Sequence, residues 1–257
     1  MKTSGKQNWE SFWQKKGSAA EYYSNADRVL RNLLGVIDLR EKKVLEIGAG
    51  TGRDSIDLAK HGAIVYQLDY AASALKLMQD VAKESGVVVH LIGGDAFQLP
   101  LRDGTLDIVF HQGLLEHFRE PDATNLLKEN VRILKPGGLL LVDVPQRYHL
   151  YTLMKHVLIA VNAWFAGWER EFSVGELERK LRALGLTPVR SYGDWMYPSL
   201  VYRIVREALL KLGIELPLYP KLISPLARFR HRVREALLRL RVSLYTSISI
   251  GVIARKP

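Results

Sequence analysis

One stretch limits the folds open to this chain more than any other: VLEIGAGTGRDSIDLAK, residues 44–60. An apolar run of strand length meets three glycines, and a helix-forming segment follows at once. The alternation then repeats. Further strand-like runs are AIVYQLD (63–69), VVVHLIGGD (87–95), TLDIVFHQ (105–112) and LLLVDVP (139–145). Helical segments lie between them: RDSIDLAKHG closed by Gly62, AASALKLMQDVAKESG closed by Gly86, and DATNLLKENVRILKPGG stopping at Pro136-Gly137-Gly138. In the second of these, apolar side chains at 71, 74, 75, 78, 81 and 82 form one face. Strands separated by helices of this length pair in parallel through right-handed crossovers. LTPVRSYGDW (186–195) and VSLYTSISIGVIA (242–254) bring the strands to seven. The predicted fold is α/β: a seven-stranded, mostly parallel sheet with helices on both faces and helical cap insertions.

Two short helices, in NWESFWQKKG and NADRVLRNLLGVI, precede the first strand. We divide the chain into N-terminal helices (1–42), a core (43–195 and 242–257) with an apolar insertion at 148–170, and a basic helical insertion at 196–241. SVGELERKLRALG opens on a capping box, Ser173 with Glu176, and ends at Gly185. Trp9, Phe12 and Trp13 have helical spacing and are expected to pack on the core; a roof over a ligand is the other reading.

Parallel sheets bind ligands beyond the carboxyl ends of their strands, where strand order reverses. The first strand ends at Gly48, Gly50 and Gly52. A dinucleotide fingerprint would place its third glycine at 53, where Arg53 stands, and no G-K-[ST] follows to make a nucleotide-triphosphate loop. Glu46 and Asp54 flank the turn. Two carboxylates repel a pyrophosphate and attract a cation. Asp69 ends the second strand, where a carboxylate accepts hydrogen bonds from both ribose hydroxyls. Asp95 and Phe97 follow the third strand, suited to an adenine edge and face. Together these point to an adenosine with a cationic tail, and make an NAD-dependent oxidoreductase improbable.

The chain has 257 residues and no cysteine, which excludes disulfides, zinc-thiolate sites and thiol nucleophiles. MKTSGKQNWESFWQKKG does not read as a secretory signal, and no charge-free stretch reaches spanning length. The expected location is cytoplasmic, with association to the inner face of a membrane as an option. Charge is uneven: residues 1–145 carry 18 Lys/Arg and 19 Asp/Glu, whereas 146–257 carry 19 and 8. A basic back part suggests an anionic partner, whether membrane surface, nucleic acid or acidic substrate.

Five motifs now stand in order: VLEIGAGTG, VYQLDYAASALKLMQ, GDAFQLPLRDGTLDIVF, GLLEHF and LKPGGLLLVDVP. Across roughly 43–145 the chain resembles the class I S-adenosylmethionine-dependent methyltransferases of the type 11, small-molecule subfamily, which have a Rossmann-like fold. The resemblance implies S-adenosylmethionine as cofactor and no metal. It implies that Glu46, Gly48, Ala49 and Gly50 line the methionine moiety, that Asp69 holds the ribose, and that Tyr70 packs beside the adenine. Asp95 would meet the adenine amino group with the backbone at Ala96 and Phe97, and the Gln112 carbonyl would meet the methionine amine. Tyr22 or Tyr23 would close over the cofactor.

His117, in EHF, is the candidate general base, with His111 and Glu116 in reserve; a packing role for His117 is the alternative. Asp107 is expected to be structural. The acceptor is expected to be small, apolar or lipid-like, with oxygen favoured and the 148–168 segment helping to line its pocket. In KLISPLARFRHRVREALLRLR (221–241), apolar residues at 222, 226, 229, 233, 237 and 240 form a stripe flanked by arginines at 228, 230, 232, 234, 239 and 241. The first expectation is that the stripe packs on the domain and the arginines are solvated. The second is a membrane surface. RNA binding is disfavoured, because stacking rings are sparse in the basic stretch. A nucleic-acid methyltransferase and a non-catalytic cofactor-binding protein complete the alternatives, and the oligomeric state stays open.

Overall fold

The computed structural model describes residues 5–14, 27–162, 164, 168–195, 197–220, 224–238 and 240–257. Tyr22 and Tyr23, Leu222 and Arg239 lie outside the described residues. Two helices, α1 (Lys6–Gln14) and α2 (Asp27–Leu34), precede the alternating core. That core runs β1 (Lys43–Ile47), α3 (Arg53–Lys60), β2 (Ile64–Asp69), α4 (Ala72–Ser85), β3 (Val89–Gly93), β4 (Leu106–Gln112), α5 (Asp122–Ile133) and β5 (Leu134–Pro145). Then come α6 (Leu150–Ala160), α7 (Val174–Ala183), β6 (Thr187–Asp194), α8 (Leu200–Lys211), α9 (Ser224–Leu238), α10 (Ser243–Thr246) and β7 (Ser249–Arg255).

The seven strands form one sheet in the order β3-β2-β1-β4-β5-β7-β6. The first five pair in parallel; β7 runs antiparallel between β5 and β6. Successive side chains of a strand point to opposite faces, and both faces here are covered. Leu45, Ile47, Val109, Leu140 and Val142 meet Leu126 and Leu127 of α5 and Leu177 and Leu181 of α7. Val44, Ile108, Phe110, Leu139 and Leu141 meet Val29 and Leu33 of α2 on the other side. This two-sided burial is why the strands read as continuous apolar runs. Each buried leucine or valine contributes about 1.5–3 kcal/mol.

Local signals behave as their chemistry dictates. Ser173 Oγ accepts from the Glu176 amide at 3.3 Å and starts α7. Gly86 ends α4 in the left-handed region, at φ 65°. One boundary differs from expectation. The helix leading into the Pro-Gly-Gly turn ends at Ile133, before the turn, because buried Leu134 already pairs with Leu106 of β4. Residues 135–138 then bulge out of the ladder, and pairing resumes at Ile108 with Leu139.

The basic insertion overturns its first expectation. The apolar stripe of α9 does not pack on the domain: Leu226, Phe229, Val233 and Leu237 are exposed. Two arginines turn inward instead. Arg234 pairs with Asp194, which has no exposed surface, and Arg230 lies over the Tyr197 ring at 4.2 Å. Arg31 of α2 also reaches Asp194, at 3.1 Å, and Glu235 of α9, at 2.9 Å. A buried carboxylate needs such partners; that requirement, rather than hydrophobicity, sets the rotation of the helix.

At the β6–β7 ladder, Tyr192 lies opposite Gly251 and its hydroxyl donates to Asp143 at 2.9 Å. A Cβ on residue 251 would overlap the tyrosine ring. Gly251→Ala should therefore displace Tyr192 and lower stability by roughly 1–3 kcal/mol, the range for overpacking a tight core. Urea denaturation would read it; an unchanged midpoint would contradict the assignment.

Candidate active site

The carboxyl ends of β1, β2, β3 and β4 surround a cavity of about 750 Å³. It lies where strand order reverses, between β1 and β4. From β1 and its turn come Glu46, Gly48, Ala49 and Gly50; from the end of β2, Asp69 and Tyr70. Asp95, Ala96 and Phe97 follow β3, and Gln112 and His117 follow β4. Apart from Tyr22 and Tyr23, which lie outside the described residues, the residues predicted for cofactor contact face one space, as does the candidate base.

The glycine turn is shaped by what lies against it. Gly50 has φ 53°, and a Cβ there would overlap the ring of Trp13. Gly52 has φ 65°, and a Cβ would overlap Gln67, whose Nε2 donates to the Gly52 carbonyl at 2.9 Å. The Asp69 carboxylate accepts from the Gly50 amide at 3.1 Å with one oxygen and from the Ala71 amide at 3.0 Å with the other. A carboxylate offers about four lone-pair sites, so acceptor capacity remains for a ligand.

Electrostatics is the main property of the site. Burial, reinforced by Asp54, pushes the Glu46 carboxyl well above the usual range against a hydrogen bond from Ser55. Burial also raises Asp54, against the pull of Arg28 and a hydrogen bond from Gln112. Asp69 is raised by burial, against its backbone amides. Three carboxyl groups short of positive charge therefore face one cavity.

Arg28, which sequence reasoning missed, is the buried cation behind this group. It donates to Gln112 Oε1 at 2.6 Å and 3.1 Å, pairs with Asp143 at 3.1 Å and reaches Ser249. Burial works against its charge, but Asp143, Tyr192, Asp194 and Asp54 outweigh it and raise its pKa. Burial in turn lifts Asp143 to about 6, with Arg28 opposing.

α1 supplies a roof. Trp9 and Trp13 both line the cavity, and Trp13 also packs on the core cluster of Ala49, Ala71, Ala74 and Met78, as expected of it. Trp9 meets the His117 ring edge-on, with centroids 5.2 Å apart. His117 belongs to a short 3₁₀ turn, Leu115–His117. Its Nδ1 lies 4.0 Å from Glu169 Oε1. Burial lowers its pKa; Glu169 opposes that shift and Lys155 adds to it. Behind it, Lys155 of α6 pairs with Glu169 and Glu171, each at 2.7 Å. Lys155 is 2% exposed, and burial alone would lower its pKa, yet the two carboxylates raise it. Its only sequence signal was one cation inside an apolar helix.

The reserve bases do not reach the cavity. His111 is fully buried in β4, and burial drops its pKa to about 3. Glu116 is buried, with burial and then Glu169 raising it well above the carboxylate range. None of the described residues of 148–168 lines the cavity, contrary to expectation. Asp107 accepts from the Lys43 amide at 2.9 Å and pairs with Lys135 at 2.7 Å, away from the cavity.

This sheet order with its cavity defines the class I methyltransferase architecture. Residues 45–142 match the family described as a methyltransferase domain, type 11. The chain is 29% identical to a ubiquinone biosynthesis O-methyltransferase of Cupriavidus pinatubonensis over 67% of its own length and 72% of that protein. It is 33% identical to a demethylmenaquinone methyltransferase of Streptomyces avermitilis over 45% of its length and 48% of the relative. The chain spans about half the length of several other curated relatives that it matches. In structure it is similar to magnesium protoporphyrin IX methyltransferase of Synechocystis with bound S-adenosylhomocysteine: TM-score 0.60, 17% identity, 90% of this chain and 81% of that one. Residues 45–142 form a type 11 methyltransferase domain with the class I S-adenosylmethionine-dependent fold, and S-adenosylmethionine is its cofactor.

The cavity fits that cofactor on electrostatic grounds, since its buried carboxyl groups are completed by a sulfonium and an ammonium group. A cation nearby favours the ionised form of Glu46. Affinity should therefore rise as pH increases through the raised Glu46 pKa, and binding should release protons. Titration calorimetry in two buffers of different ionisation enthalpy measures this; proton uptake on binding would contradict it.

Proposed function

We propose that this enzyme methylates an oxygen of a small, lipid-like acceptor, with His117 as general base. The observation that carries the reading is the setting of His117: an imidazole kept neutral by burial, on the cavity wall, edge-on to Trp9 and backed by Glu169. The names of two relatives, concerned with ubiquinone biosynthesis and demethylmenaquinone, support an apolar acceptor.

S-adenosylmethionine supplies an electrophilic methyl group on a sulfonium sulfur. The protein's own residues have three tasks. Glu46, Gly48, Ala49, Gly50 and the Gln112 carbonyl surround the methionine end; Asp69 uses its remaining lone pairs on the ribose; Tyr70, Asp95, Ala96 and Phe97 enclose the adenine. Alignment of an acceptor against a fixed donor supplies several kcal/mol, up to about 10 in favourable cases. His117 takes the hydroxyl proton as the oxygen attacks, and the neighbouring Glu169 carboxylate stabilises the resulting imidazolium.

Three measurements test the reading. Asp69→Ala should weaken S-adenosylmethionine binding about tenfold or more, the loss of a charged hydrogen-bonding group; unchanged affinity refutes the ribose role. His117→Asn should lower kcat roughly 10²–10⁴-fold. Because burial holds the His117 pKa down, wild-type activity should persist below the ordinary histidine range as pH falls, and the variant should lose this acidic limb. With phenolic acceptors of growing alkyl chain, kcat/KM should rise with chain length and mass spectrometry should find an O-methyl product. Transfer to a ring carbon would overturn the oxygen assignment.

A further inference from the structure

Among the described residues, three helices expose apolar faces. On α6, Leu150 is 80% exposed, and Leu153, Met154 and Val157 are also exposed along the same side. On α8, Val201 is 70% exposed, with Ile204, Val205 and, just past its end, Leu212 beside it. On α9, Phe229 is 65% exposed, between Leu226 and Val233. Spacings of three and four residues place each set on one helical stripe. Isolated exposed leucines are ordinary, whereas contiguous apolar stripes mark a surface with a partner.

These helices emerge together. α6 follows β5, and α8 and α9 follow β6. Both strands are antiparallel to β7, so they run the same way and end on one edge of the sheet. The parallel pairing of β5 with β4 makes that the edge where the cavity lies. Arg203 of α8 is close enough to Tyr151 of α6 to act on its ionisation, and Arg230 of α9 stacks on Tyr197, which precedes α8.

Charge identifies the partner. Residues 201–241 hold ten Lys/Arg against three Asp/Glu. Arg230 and Arg234 turn inward to Tyr197 and Asp194, which locks the apolar stripe of α9 outward. Arg228, Arg232 and Arg241 are exposed around that stripe. Among the described residues no helix is long and apolar enough to cross a membrane. Short amphipathic helices with apolar stripes bordered by arginine lie in the plane of an anionic bilayer, with stripes among the acyl chains and guanidinium groups at the phosphates.

We propose that α6, α8 and α9 form a docking surface for an anionic lipid bilayer, on the cavity side of the enzyme. Docking does not depend on which acceptor is methylated. It concerns a surface whose exposed residues take no part in the cavity.

The full chain should co-sediment with phosphatidylcholine vesicles that contain phosphatidylglycerol, and less with phosphatidylcholine alone. Phe229→Glu with Val233→Glu should cut partitioning roughly tenfold or more, while circular dichroism and cofactor affinity stay unchanged. Should that variant not fold, Leu153→Glu on α6 gives the same reading. Absence of co-sedimentation by the wild type, or equal binding to both kinds of vesicle, overturns the proposal. So does a wild-type dimer in sedimentation equilibrium that Phe229→Glu converts to monomer, since a second copy would then own the face. Methylation of a water-soluble phenol by the same variants separates failure of docking from failure of the proposed chemistry.

Discussion

The structure is organised around an unbalanced charge. Glu46, Asp54 and Asp69 converge on one glycine turn, and Arg28 lies behind them. Carboxyl groups taken from water demand either protons or a positive partner. Arg28 is tied to Asp143 and Gln112, so it offsets only part of the deficit. A cationic adenosine completes the set, whereas a diphosphate would add to the repulsion. The turn's glycines admit the close packing of Trp13 and Gln67 that holds the acidic wall in place.

A second consequence of burial is the split of duties between faces of the sheet. The same alternation that produces two apolar layers leaves the strand ends as the one region where polar groups gather. Asp69, Gln112 and Asp194 are all last residues of strands. Two of them line the cavity, and the third anchors the basic helix. A single edge of the sheet thus carries both the cavity and the helices that border it.

How far this was legible in sequence depends on the range of each interaction. The alternation of strands and helices, the glycine turn and the places of Asp69 and Asp95 beyond their strands follow from local pattern and are readable in the sequence. The end of α5 was not, because Leu134 obeys its pairing with Leu106 rather than the nearby Pro-Gly-Gly signal. Nor was the antiparallel entry of β7, which depends on partners more than a hundred residues earlier in β5. The stripe of α9 was visible as a period, but its direction is set by Asp194, forty residues before Arg234. Arg28 meets Gln112 across 84 residues, and no motif at residue 28 announces that contact. Trp9 and Trp13 are recognisable as one helical face, while the sharing of that face between core and cavity is not.

The α6 helix shows how differently two sides of one segment bear change. Leu153 and Val157 are largely exposed, and replacements there shift folding free energy by about 0.5 kcal/mol or less. Lys155, on the inner side, holds Glu169 and Glu171 together. Its loss would leave Glu169 with Trp164 and Glu171 with His156 but no lysine between them, a defect worth about 3–5 kcal/mol. Sequence drift in descendants of this chain is therefore free to rewrite the outer side of the helix under the demands of its surroundings alone, while the inner lysine is held by the fold itself.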